Sequence, residues 1–218
     1  FMDSQVGELL AKLPSDSNVI VVGDHGEMLG EHGESTHGLL LNRAARRVPL
    51  LLAGPDFPAK TVRDCLVRTV DVTPTLLALA GRPIPPGLDG ASLWPIGPDR
   101  CDRTSYSESF LPFFSYKWYP LRAISNDRFL YVQGPTANLY DLRSSAGESK
   151  DLAPSQTKAA KTWKDRLVSE LKRMGETLEG SFRPENQLSA EEEKKLASLG
   201  YVSGGTGGQV AANLPDPR

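Results

Sequence analysis

The sequence predicts an α/β fold followed by a small antiparallel sheet, and three observations favour it. Two short apolar runs, over residues 18–23 and 48–53, are each closed by glycine and indicate buried strands. Amphipathic helical patterns flank them, and helix, strand, strand, helix at this spacing is typical of α/β layering. After about residue 100, short strand-like runs alternate with turn signals, which is typical of an antiparallel sheet.

Each element of the first part has a local reason. Apolar residues three and four positions apart predict a helix over 3–13, which Pro14 ends. Residues 39–47 form either a short helix or a loop. Residues 70–80 predict a helix that Asp71 or Thr73 caps, and Gly81 stops it.

The second part has its own pattern. Asn126-Asp127 and Gly134-Pro135 separate strand-like runs, and we expect strands over 105–110, 121–125, 128–133 and 137–142. A charged amphipathic stripe predicts a helix over 156–174, and a capping box opens another over 189–199. The expected division is an α/β part (1–100), the small sheet with its packing helix (101–175), a helical extension (176–202) and a flexible tail (203–218).

Composition excludes some classes of function. The net charge of −2 leaves no basic footprint for nucleic acid. No apolar run reaches the roughly 18 residues that span a membrane. The two cysteines, Cys65 and Cys101, allow either one bridge or two free thiols.

All three histidines lie within fourteen residues, and each is followed by glycine: His25, His32 and His37. Asp24 and His25 stand where the 18–23 strand ends and a Gly-rich loop begins, the edge at which α/β sheets bind ligands. A carboxylate beside an imidazole there suits a divalent metal. We expect Glu27 and Glu34 to be loop carboxylates, His32 to order the loop, and Asp89-Gly90 to form a turn.

The segments VVGDHGEMLGEHGESTHG, VPLLLAGP and VDVTPTLLALAGRPIPPGLDGASLWP, followed by LYDL, resemble the C-terminal half of a sulfatase of the alkaline phosphatase superfamily. The resemblance covers residues 1–202. It implies part of an alkaline-phosphatase-like α/β sandwich, then the family's small antiparallel sheet with C-terminal helices.

The resemblance also implies a site. Asp24 and His25 match the pair that completes the divalent-metal site, and calcium is the expected ion, with manganese, magnesium or zinc as alternatives. His37 lies where the family places a cationic residue near the ester oxygens, and is the expected catalytic residue. The implied substrate is a sulfate-ester small molecule or a sulfated glycan, and the implied location is periplasmic or extracytoplasmic.

The family's Cys/Ser-x-Pro-x-Arg nucleophile motif is not found in the sequence. We therefore expect a C-terminal fragment whose partner is the missing N-terminal half, with an exposed apolar face and no activity in isolation. Two alternatives stay open. One is a phosphoryl-transfer enzyme of the same superfamily, either phosphoethanolamine-transferase-like or a phosphodiesterase, and the other is an inactive, non-enzymatic domain.

Overall fold

The computed structural model describes residues 1–96, 103–178 and 214–218. These residues divide into two compact units, one made of Phe1–Asp24 with Val48–Arg103 and the other of His25–Arg47 with Thr104–Arg218. The sequence suggested that the histidine loop belongs to the α/β part. In the structure, the segment 25–47 groups instead with the residues of the small sheet.

The first unit contains two helices and two strands: α1 (Met2–Leu10), β1 (Val19–Val22), β2 (Leu50–Ala53) and, numbered in chain order, α3 (Val72–Leu79). β1 and β2 pair antiparallel, with Val19 opposite Ala53. The four predicted elements are confirmed, and α1 ends three residues earlier than its periodicity suggested.

The first unit exposes much of its apolar surface. α1 buries none of its residues, and Leu9 is 62% exposed. Leu51 on β2 and Leu76 on α3 are also half exposed or more. Apolar side chains at this exposure are suited to covering by other protein, and the apolar face expected from the sequence stays a prediction.

Asp71 does more than the predicted helix cap. Its carboxylate is fully buried and makes no capping bond to α3. It accepts hydrogen bonds from the backbone N–H of Arg68 at 3.0 Å and of Ala91 at 2.9 Å, and pairs with the guanidinium groups of Arg68 and Arg103, each at 2.9 Å. The expectation of a simple cap was wrong, because partners 20 and 32 residues away compete for the carboxylate.

Two motifs that carry the family resemblance bind each other within the first unit. The Thr75 hydroxyl donates to the carbonyl of Asp71 at 2.6 Å and accepts from the backbone N–H of Leu93 at 2.9 Å. A Cβ on Gly90 would lie 1.9 Å from the carbonyl oxygen of Val70, so only glycine fits there. The Asp-x-x-Pro-Thr and Asp-Gly-x-Ser-Leu segments therefore share a structural role.

The second unit is built on an antiparallel sheet. Its order is β3-β4-β5-β6, and the strands are Ser105–Ser109, Leu121–Ser125, Phe129–Gln133 and Ala137–Asp141. Each bound lies within one residue of its prediction. The side chain of Asn126 accepts from the backbone N–H groups of Arg128 and Phe129, which explains the tight turn between β4 and β5.

Both faces of this sheet are covered. One face packs on the segment that follows the histidine loop, in a cluster of Leu40, Leu41, Leu121, Ala123, Leu130 and Val132. The other packs on α5 (Thr157–Arg173), which buries Trp163, Leu167 and Leu171 at helical spacing. Each such side chain contributes about 1.5–3 kcal/mol relative to exposure. The described residues of this unit also include two short helices, α2 (Arg43–Arg46) and α4 (Leu111–Tyr116).

Some predictions fall outside the described residues. The helix expected over 189–199 and the tail over 203–213 lie there. The last five residues are described, and the carbonyl of Pro215 accepts a hydrogen bond of 2.8 Å from the backbone N–H of Tyr119.

Cys65 is disulfide-bonded. Of the two alternatives for the cysteines, the structure therefore has the bridge and not two free thiols.

Candidate functional site

The histidine loop folds back on itself. The backbone N–H of Met28 donates to the carbonyl of Thr36, and that of Gly30 donates to the carbonyl of Glu34, each at 2.9 Å. The Glu34 side chain is 4% exposed and accepts from the backbone N–H groups of Leu39 and Leu40, each at 2.9 Å. Glu34 is therefore a loop carboxylate, as predicted.

This loop brings His25 and His37 together. Their rings stack with centroids 3.9 Å apart and an interplanar angle of 27°. The Nδ1 atom of His37 lies 3.1 Å and 3.2 Å from the two carboxylate oxygens of Glu27. Both side chains of this ion pair remain partly open to solvent, at 36% for His37 and 49% for Glu27.

The contacts of both rings involve Nδ1, and in His37 they fix which nitrogen carries the proton in the neutral form. Nδ1 of His25 lies 3.0 Å from the carbonyl oxygen of Gly26. Carboxylate oxygens only accept, so Nδ1 is the donor in neutral His37, and the lone pair of that ring lies on Nε2. Glu27 is thus a functional candidate that sequence reasoning gave only a loop role, because no local pattern links positions ten residues apart.

Helix α2 anchors the start of the loop. The backbone N–H of Gly26 donates to the carbonyl of Ala45 at 2.8 Å, and a Cβ on Gly26 would lie 1.9 Å from the carbonyl oxygen of Ala44. Glycine is therefore required where the chain turns from His25 into the loop. The position of α2 thus determines where the His25 ring lies.

Helix α2 is in turn held by residues far along the chain. The carboxylate of Glu148 accepts from the backbone N–H of Arg43, at the first turn of α2. The guanidinium of Arg46 donates to the carbonyl of Leu41 at 2.6 Å and to the hydroxyl of Ser125 on β4 at 3.1 Å. Burial raises the pKa of Glu148, and the charge of Arg46 opposes that rise.

The structure places the predicted site residues in different surroundings. Asp24 is exposed and follows β1 directly, as the last residue of its segment in the first unit. His25 and His37 belong to the second unit and are in contact. His32 adopts a left-handed backbone conformation (φ 53°) in a short 3₁₀ turn, Glu31–Gly33. Among the described residues, no group of three or more acidic, cysteine or histidine side chains is arranged to hold a metal ion.

Comparison with known proteins shows which family the first part of the chain resembles. Residues 1–82 match the family model named Sulfatase. The chain is 32% identical over 165 residues to choline-sulfatase of Rhizobium meliloti, covering 70% of this chain and 31% of that protein. It is 34% identical over 99 residues to arylsulfatase K of the dog, covering 43% of this chain and 18% of that protein.

A solved structure of a 2-O GAG sulfatase superposes with a TM-score of 0.68 and 27% identity, covering 79% of this chain and 40% of that one. Residues 1–82 therefore belong to the sulfatase family of the alkaline-phosphatase-like superfamily, and the α/β fold extends beyond them. The chain spans between a fifth and two fifths of the length of these relatives.

The fold is also shared outside the sulfatases. The phosphonate monoester hydrolase of Silicibacter pomeroyi superposes with a TM-score of 0.67 at 23% identity, covering 78% of this chain and 38% of that one, which shows a common fold alone. No helix within residues 1–96, 103–178 and 214–218 has the length and apolar character needed to cross a membrane.

Proposed function

We propose that this chain supplies one side of the active site of a divalent-metal-dependent hydrolase of sulfuric esters. The observation that carries the proposal is the stacked pair of His25 and His37, with Glu27 bound to His37, in a chain whose relatives are sulfatases. Those relatives include a choline-sulfatase and a 2-O GAG sulfatase. The proposed substrate is accordingly a small sulfate ester or a sulfated glycan.

His37 is the proposed proton-transfer residue. Cleavage of a sulfate ester leaves an alkoxide or phenoxide oxygen that needs a proton. Because Glu27 holds Nδ1 of His37, the imidazolium form carries its second proton on Nε2 and gives that proton to the leaving oxygen, which returns His37 to the neutral Nδ1–H form. A positioned acid of this kind contributes about 10²–10⁴ in rate. Glu27 acts as a positioning residue that fixes the ring and its tautomer.

Asp24 and His25 are the proposed metal ligands on this chain. His25 is exposed, Nδ1 of its ring lies 3.0 Å from the carbonyl oxygen of Gly26, and neutral imidazole is a common metal ligand. Carboxylate oxygen suits calcium, which the family resemblance implies, and also magnesium or manganese, whereas an imidazole donor suits zinc. Two donors are fewer than the four or more that these ions take, so other groups must complete the set. A bound cation would supply stabilisation of charge on the ester oxygens.

The experiment compares an aryl sulfate with an aryl phosphonate as substrates, in the presence of calcium, magnesium, manganese or zinc. Two samples are assayed: the 218-residue chain and the gene product read from the genomic sequence around it. The gene product should hydrolyse the sulfate in a metal-dependent manner. Preference for the phosphonate would favour the phosphoryl-transfer alternative, and no turnover of either would favour a non-enzymatic domain.

Variants of the gene product assign the roles. His37→Gln should lower kcat by about 10²–10⁴. Glu27→Gln should lower it by about ten- to a hundredfold, as loss of an orienting partner does. His32→Asn is the matched control, because it lies in the same loop and asparagine tolerates its left-handed backbone. A His37→Gln variant as active as the parent would refute the role of His37.

The positioning role of Glu27 has a readout that does not depend on turnover. Side-chain ¹⁵N shifts of neutral His37 should show the Nδ1–H tautomer in the 218-residue chain and revert towards Nε2–H in Glu27→Gln. An unchanged tautomer would show that Glu27 does not orient the ring. Metal-dependent turnover by the 218-residue chain that disappears in His25→Ala would instead reveal a nucleophile within it.

A further inference from the structure

The sheet of the second unit reaches the histidine loop through its edge strand, β3. Ser109 is the last residue of β3 and is 8% exposed. It pairs with Leu121, so both side chains lie on the face of the sheet that packs on the segment after the histidine loop. The Ser109 hydroxyl donates to the backbone carbonyl of Gly38, the residue that follows His37. A polar side chain on a largely apolar face is thus bound to the end of the loop.

A second contact holds Gly38 in place. Leu111, the first residue of α4, lies so close that a Cβ on Gly38 would come within 2.8 Å of its side chain. The backbone of Gly38 has a φ of +98°, a conformation that favours glycine. Both the absence of a side chain and the unusual backbone conformation therefore serve the close approach of the loop to the β3–α4 junction.

The contacts of Ser109 and Leu111 differ in kind from the hydrogen bonds that shape the loop. Glu27 binds His37, and Glu34 binds the backbone amides just after the loop, so these bonds join residues of one continuous segment. Such bonds fix the shape of the segment, but they do not attach it to the sheet. Ser109 and Leu111 come from the sheet side of the unit, and they meet the segment one residue from His37.

We propose that Ser109 is a positioning residue for His37 and acts through the Gly38 carbonyl. Holding that carbonyl restricts the backbone beside His37, so the ring keeps its stacking on His25 and its bond to Glu27. Without the hydroxyl, the carbonyl loses this donor, and the conformational freedom of glycine lets the ring leave its place. The effect on turnover rests on the proton-transfer role proposed for His37, whereas the effect on the ring does not.

The first measurement is NMR of the 218-residue chain, which reports on the rings without turnover. In Ser109→Ala, the nuclear Overhauser contacts between the His25 and His37 rings should be lost. The side-chain ¹⁵N shifts of neutral His37 should move from the Nδ1–H form towards an average of both tautomers. Ser109→Thr keeps a hydroxyl and should restore both signals.

Ser107→Ala is the matched control. Ser107 lies on the same strand and the same face as Ser109, opposite Ala123, and about 7 Å further along β3. Its removal should leave the ring contact and the tautomer as they are in the parent. Urea unfolding of each variant separates the two kinds of role. A purely structural role of Ser109 would lower the urea midpoint and leave the signals of the two rings unchanged in the folded state.

The second measurement is hydrolysis of an aryl sulfate by the gene product. A misplacement of about 1 Å costs up to about 10² in rate, so Ser109→Ala should lower kcat by about ten- to a hundredfold. The KM should change little, because the loss falls on the transition state and not on substrate binding. Ser109→Thr should recover most of the activity, and Ser107→Ala should retain all of it.

The outcomes separate this proposal from the proposed function. An unchanged ring contact and tautomer in folded Ser109→Ala would overturn the proposal, whatever the activity. If the ring moves in Ser109→Ala while His37→Gln is fully active, the proposed function fails and the link from Ser109 to His37 stands. If Ser109→Ala does not fold, Ser109→Cys takes its place, because it keeps a similar volume and replaces the hydroxyl by a weak donor. Unchanged rings in that variant would equally overturn the proposal.

Discussion

Replacing Asp71 by asparagine should destabilise the first unit without touching the candidate site. The carboxylate is fully buried, and each of its oxygens accepts hydrogen bonds from at least two donors. Oδ1 accepts from Arg68 and from the backbone N–H of Ala91, and Oδ2 accepts from Arg103 and from the backbone N–H of Arg68. Asparagine keeps one oxygen and places an NH₂ group against the other pair of donors.

The cost follows from those two lost acceptor contacts. A hydrogen bond to a charged group is worth about 1.5–3 kcal/mol, and leaving a buried donor unpaired costs about 1–3 kcal/mol. The sum agrees with the roughly 3–5 kcal/mol lost when one partner of a buried ion pair is removed. Arg68 and Arg103 are 21% and 20% exposed and can regain some hydration. We therefore expect Asp71→Asn to lower the free energy of unfolding by about 3 kcal/mol.

The assay is urea unfolding of the 218-residue chain, combined with hydrogen exchange at the Ala91 and Arg68 amides. Asp165→Asn is the matched control, because its pair with Lys161 spans 2.8 Å with both side chains more than 60% exposed. That variant should lose less than about 0.5 kcal/mol. If Asp71→Asn unfolds within 1 kcal/mol of the parent (roughly the worth of a single ordinary hydrogen bond), the buried cluster is not what stabilises this unit.

Three further outcomes are expected. Gly26→Ala should lower the free energy of unfolding by about 1–3 kcal/mol, because the added Cβ meets the Ala44 carbonyl, and NMR should show that the His25–His37 ring contact is disrupted. Gly7→Ala on α1 is the control and should not destabilise the chain, because nothing lies within 4 Å of the added Cβ. Glu34→Gln should cost about 1–3 kcal/mol in urea unfolding by leaving a buried N–H unpaired, whereas the exposed Ser35→Ala should change little. The folded-state pKa of Glu148 is raised above its ordinary value of 4.5, so its contribution to the free energy of unfolding is present below that pH and is lost as the pH rises through the folded pKa. The urea midpoint of the parent should therefore decline over that pH range, and Glu148→Gln should flatten the decline. An identical pH dependence in the two proteins would refute the role of Glu148.

The sequence predicted those helices and strands well whose bounds depend on contacts between residues close together in the chain. The strands of the small sheet were placed within one residue because Asn126 sets its turn by bonding to residues two and three positions on. The helix α5 was predicted because Trp163, Leu167 and Leu171 repeat at helical spacing. Local backbone hydrogen bonds within the loop between His25 and His37 likewise accompany the contact of the two rings.

What sequence reasoning missed depends on distant partners. The burial of Asp71 needs Arg103, and the placement of α2 needs Glu148, 105 residues after Arg43. Glu27 and His37 pair only when the loop between them closes, and the periodicity of the sequence does not predict that closure. These contacts leave no pattern in the local sequence, because each depends on the tertiary fold that brings distant residues together.

The link between Arg43 and Glu148 also orders events during synthesis. The segment 25–47 leaves the ribosome well before residues 104–218, with which it packs, and residues 48–103 of the first unit emerge in between. At about 5–20 residues per second, Glu148 follows Arg43 by about 5–20 s. Until β3 to β6 have emerged, which takes up most of that interval, Leu40 and Leu41 have no sheet to cover them. The histidine pair therefore acquires its final surroundings well after it has been synthesised.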